Sequence, residues 1–131
     1  MVLLAAAAPG KAQALAATVK TGSLTATNAS CTATACVAMP VSAAIGAVGW
    51  QISGTFAGTF SFEGTVDGTN WVAVAALPVG LTRTLASSTT AAGAWVVNVV
   101  GLSSVRVRCS AYTSGTAVVV GRTSVPPSPT S

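Results

Sequence analysis

A chain of 131 residues with a net charge of +4 and only 6% charged side chains is the size of one domain and carries few groups for acid/base chemistry. With no His and two carboxylates among its residues, it lacks the base that Ser, Thr or Cys nucleophiles need and the ligands of a typical zinc site. Hydrophobic residues make up 51% of it, yet no uninterrupted apolar run approaches the roughly 18 residues of a membrane span. We therefore expect no enzyme, cofactor, metal or membrane partner. A charged fraction far below the roughly 25% of soluble domains points instead to a surface covered by other protein.

Residues 1–22 form the first unit, an expected N-terminal arm. Met1 to Ala17 begins like the hydrophobic part of a signal peptide, but its first basic residue, Lys11, follows the apolar run instead of preceding it. An extended arm or short helix that packs on a neighbouring subunit is the preferred reading. Residues 23–123 are the expected β domain. Ser30 to Met39 is rich in Thr and Val, has Cys31 and Cys36 inside it, and stops at Pro40; it reads as a strand or a bent pair. The cysteines number three, with Cys109 as the last, so at least one is unpaired within the chain. Buried free thiols are expected first and a bridge between subunits second. A Cys31–Cys36 bridge would require a turn between them, because five positions along a straight strand place them on opposite faces.

Gly49 to Gly54 alternates Trp50 and Ile52 against Gln51 and Ser53, the period of a half-buried strand. In Thr55 to Glu63, Phe56, Phe60 and Phe62 share one parity and point into one core. Asp67-Gly68 marks a tight turn before a strand from Trp71 to Ala75. Leu81 to Leu85 is a further short strand, and Ser87 to Gly93 is a loop of small residues. Trp95 to Val99 and Ser104 to Tyr112 alternate again, the second with Arg106 and Arg108 facing away from the core toward solvent or a partner. Thr116 to Arg122 closes the domain, and the Pro-rich tail, residues 124–131, cannot pair in a sheet. Seven or eight strands at such spacing predict an all-β antiparallel sandwich, jelly-roll-like, with terminal arms.

The chemistry-bearing residues have plain structural readings. Glu63 and Asp67 are a strand glutamate able to pair with an arginine and a turn aspartate; two acids at a hairpin do not suffice for calcium or a glycosidase cleft. The basic residues are scattered, with only Arg106 and Arg108 close together, which argues against nucleic acid as a partner. Trp50, Trp71 and Trp95 are expected in the core or at a subunit interface, with a sugar-stacking platform as the alternative. Asn28-Ala29-Ser30 matches a glycosylation acceptor, a pattern frequent by chance.

The segment Phe60-Ser61-Phe62-Glu63-Gly64-Thr65-Val66-Asp67-Gly68-Thr69-Asn70-Trp71 resembles a hairpin of bacteriophage virion β-sandwich proteins. Gly93 to Leu102, Val105 to Arg108 and Ser114 to Val118 resemble their closing strands, so the likeness runs over residues 46–122. It implies a structural part of a phage particle. The expectation that follows is a capsid decoration or cement protein on the head surface, homotrimeric and bound to the major capsid protein. A tail, baseplate or fibre component and a carbohydrate-binding module are the alternatives.

Overall fold

Alternation of apolar and polar side chains commits a segment to lie between a core and an outer face, and most of this chain alternates. A computed structural model describes residues 17–27, 31–80 and 84–125. Ten strands follow in order: β1 (Val19–Leu24), β2 (Cys36–Pro40), β3 (Ala47–Ser53), β4 (Phe56–Thr65), β5 (Val72–Ala73), β6 (Ala76–Pro78), β7 (Ser88–Thr89), β8 (Gly93–Asn98), β9 (Ser104–Gly115) and β10 (Ala117–Ser124). Sheet A has the order β1-β10-β3-β8-β6, and sheet B the order β2-β9-β4-β5 with β7 also on β4. All pairings are antiparallel. Pro40 and Pro78 lie in β2 and β6, both edge strands, where a missing N–H costs no ladder bond.

The inner faces meet in one core. Trp50, Ile52, Val97 and Val119 come from sheet A, and Phe60, Phe62, Val105 and Val107 from sheet B. Phe62 packs against Trp95 at 5.3 Å between ring centroids, and Phe56 meets Phe60 edge-on at 5.1 Å. The parity of the three phenylalanines thus holds, with Phe56 at the margin of the core. Trp50 leans over β10, where Gly121 stands directly opposite it, and any β-carbon there would collide with the indole.

Two neighbouring corners join the sheets at one end. β3 passes to β4 through Gly54-Thr55, and β9 passes to β10 through Gly115-Thr116. Both glycines have positive φ, 103° and 85°. They let the two backbones touch: the Thr116 amide donates to the Thr55 carbonyl at 3.0 Å.

Several expectations are corrected. Ser30 to Met39 is not one strand: the Ala35 amide donates to the Thr32 carbonyl at 2.9 Å, forming a turn ahead of β2. That turn brings Cys31 and Cys36 to a Cα separation of 4.7 Å, where they form a disulfide within the chain and are not free thiols. Cys109 is the buried free thiol. β1 starts at Val19, inside the span assigned to the arm, because residues 19–24 find a ladder on β10. The loop expected over Ser87 to Gly93 contains β7, held by Phe60 and Ser61 of β4. Strand pairing for Leu81 to Leu85 is not seen at Thr84 and Leu85, and its first three residues lie outside the described ones. Arm residues 1–16, Asn28-Ala29-Ser30 and tail residues 126–131 also lie outside them.

The thiols offer a direct check. Native, unreduced protein is expected to give no reaction with a thiol reagent, mild reduction to release two thiols, and unfolding to expose the third. Closing so short a loop should contribute about 2 kcal/mol. A denaturant midpoint unchanged by reduction would contradict that.

Candidate interaction surfaces

The outer face of sheet B carries the chain's one charged cluster among the described residues. Arg106 and Arg108 are alternate residues of β9, and the β4 register sets Glu63 beside Arg106 and Ser61 beside Arg108. Glu63 therefore lies within reach of both guanidinium groups. Arg106 Nε donates to Glu63 Oε1 at 2.7 Å, while Arg108 donates through Nε to Oε1 at 3.1 Å and through Nη2 to Oε2 at 3.0 Å. Trp71, just after the turn that β4 enters, covers Arg106, with the guanidinium carbon 4.1 Å from the ring centroid. The two arginines were expected to face solvent or a partner; instead Arg106 is only 8% exposed, roofed by Trp71. Trp71 itself belongs to this outer face and not to the core.

Burial by itself would raise the Glu63 pKa, but hydrogen bonds from Arg108 and Arg106, with their charge, outweigh it and leave the carboxyl below its usual range. Asp67 is held well below the usual carboxylate range by the backbone amides of Asn70 and Thr69 and the Asn70 side chain. Its Oδ1 accepts from Thr69 N at 2.8 Å and Asn70 N at 2.7 Å, and Gly68 takes φ 83° beside it. The Asp-Gly turn is thus built as the sequence implied. Burial raises the Cys109 thiol.

These shifts fix a pH profile. Carboxylates with depressed folded pKa values contribute stability above their unfolded pKa, near 4, and lose it as pH falls through the folded value. A raised thiol works oppositely, contributing stability below about pH 8.5 and losing it as pH rises. The melting temperature is expected to be level from about pH 5 to 8 and to drop on either side. Glu63→Gln with Asp67→Asn should flatten the acid limb; an acid limb unchanged in that double variant would assign it elsewhere.

The outer face of sheet A is of the opposite kind. One row of partners crosses it from Val19 of β1 to Arg122, Gly49, Val96 and Leu77. Gly49 contributes no side chain, and a shallow depression of about 380 Å³ opens there, walled mostly by Val19, Val79, Val96 and Val120, with Gln51 and Arg122 as its polar members. Val19 is 50% exposed and Val79 61%. Such a face loses little by being covered.

No group of three or more His, Cys, Asp or Glu side chains gathers among the described residues. The tryptophans form no platform, since Trp50 and Trp95 are buried and the ring of Trp71 is engaged by Arg106.

No protein-family model matches the chain, and no curated protein matches it. Its fold is similar to that of two proteins of known structure. The SPBc2 prophage-derived protein YomS superposes with a TM-score of 0.62 at 17% identity, over 82% of this chain and 93% of YomS. The PBSX exported protein XepA gives 0.64 at 19% identity, over 82% of this chain. This chain spans 38% of the XepA length, so there the sandwich is one part of a larger protein. At these identities the likeness to YomS and XepA is one of fold: an all-β architecture of two antiparallel sheets.

Sequence reading anticipated that Glu63 pairs with an arginine, and it does; that Arg106 and Arg108 share the one carboxylate depends on the β4–β9 register and was not legible. It missed the apolar outer face of sheet A, although the uninterrupted Val118-Val119-Val120 run signals a strand with apolar residues on both faces.

Proposed function

We propose that the chain is a structural, non-enzymatic protein of a phage particle, and specifically a decoration or cement protein that binds the outer surface of the head as a homotrimer. The observation that carries this reading is the apolar outer face of sheet A, on a sandwich whose fold recurs in the SPBc2 prophage-derived protein YomS and the PBSX exported protein XepA. That face is assigned to contacts between copies. Each square ångström of apolar surface removed from water there contributes roughly 25 cal/mol, and a ligand that binds only the closed shell raises the cost of opening it. The Cys31–Cys36 bridge supports a site of action outside the reducing cytoplasm.

Native mass by light scattering, followed by mixing with undecorated heads, tests the reading. A trimer that binds heads and raises their melting temperature is expected. A monomer that ignores heads but is recovered with tails would move the protein to the tail or baseplate.

A further inference from the structure

We infer that the Arg106–Arg108–Trp71 surface of sheet B is a docking site for a carboxylate-bearing loop of a different protein. This deepens the proposed function by naming the chemistry of the partner on the particle.

The cluster holds more donors than it uses. Each guanidinium presents five N–H groups in a planar fork, and Glu63 accepts three hydrogen bonds from the pair. The terminal nitrogens of Arg106 have no protein acceptor among the described residues, although the side chain is only 10% exposed. Among the described residues Trp50 Nε1 is the fully enclosed side-chain polar atom that lacks a partner, so the Arg106 nitrogens still reach the surface and stand open to an incoming acceptor. The neighbouring strand offers none: in register with Arg108 and Arg106 on β2 stand Cys36 and Ala38, which have no side-chain acceptor for them. On the β4 side, Ser61 and Ser110 hydrogen-bond to each other at 3.1 Å. Two cations against one carboxylate leave the surface positive, and Trp71 fixes the Arg106 plane from one side. A second carboxylate meeting the free edges of the fork would complete the set, in the bidentate geometry that favours arginine over lysine.

A second copy of the chain has no acidic side chain to offer. The sequence contains two acids, Glu63 and Asp67. The first is already in the cluster, and the second is held by Thr65, Thr69 and Asn70 within its own turn. Contacts between copies and contacts with the acidic partner therefore use different faces, sheet A for the first and sheet B for the second.

The test is titration of the full-length protein with an end-blocked hexaglutamate peptide, read by the Nε–H resonances of Arg106 and Arg108 and the indole N–H of Trp71. Hexaglutamine and inorganic phosphate at matched ionic strength are run beside it. Saturable shifts confined to these three signals with hexaglutamate are expected, with Arg108→Lys weakening binding about tenfold although charge is kept. A thermal melt of Arg108→Lys confirms that the variant is folded, and Trp71→Phe, which keeps a ring over Arg106, should bind within about threefold of the parent. Absence of shifts, equal shifts with hexaglutamine, or phosphate binding as tight as the peptide would each overturn the carboxylate assignment. Peptide binding without head binding would sink the decoration reading alone; head binding without peptide binding would sink only this inference.

Discussion

Gly115→Ala is expected to destabilise the protein by about 3 kcal/mol or more, while Gly68→Ala costs only about 1 kcal/mol. Both glycines have positive φ, 85° and 83°, so the strain of a left-handed alanine is common to the two. They differ in what surrounds them. A β-carbon at Gly68 meets nothing within 4 Å, whereas at Gly115 it falls 2.7 Å from the Phe56 Cα and closer still to the Thr55 carbonyl oxygen. Those are backbone atoms of the adjoining corner, which cannot swing aside as a side chain would. Relief requires separating the two crossovers and breaking the hydrogen bond from Thr116 to Thr55. Denaturant unfolding of both variants measures the difference; equal losses would mean that the corners are not in contact.

Phe62→Ala should lose about 3–5 kcal/mol, against at most about 1 kcal/mol for Trp71→Ala. Phe62 is fully buried at the centre of sheet B and faces Trp95 across the core, so truncation leaves a void between the layers. Trp71 lies on the outer face over Arg106, and its removal opens that guanidinium to water without creating a cavity. The near-UV circular dichroism of Trp95 should collapse in Phe62→Ala at temperatures where the parent is folded. A larger ring on the surface thus contributes less than a smaller one inside, and the reverse ranking would show that the core is not where the sandwich places it.

The central strands were legible because a face buried on one side imposes period two. Trp50 and Ile52 in β3, Phe60 and Phe62 in β4, and Val105 and Val107 in β9 all point inward as their alternation required. β5, β6 and β7 were harder, since two or three residues hold too little pattern and pairing with β4 and β8 defines them. The disulfide escaped for a related reason: spacing along a strand separates Cys31 from Cys36, and only a turn ending at Ala35 reunites them. Arg106 and Arg108 were correctly placed off the core, but parity along one strand says nothing of what the next strand sets beside them. The roof of Trp71 over Arg106 depends on the chain reversing at Asp67 and bringing residue 71 back over β9.

The pairing of β1 with β10 has a mechanical consequence. Val19, where the first strand begins, stands opposite Arg122, near the end of the last. The chain thus enters and leaves the sandwich through one rung of one ladder. Tension between its two ends peels β1 from β10 one rung at a time, starting at that rung, instead of shearing all of them together. A load carried in through both ends passes directly between them, and the remaining strands bear little of it until the first has come away.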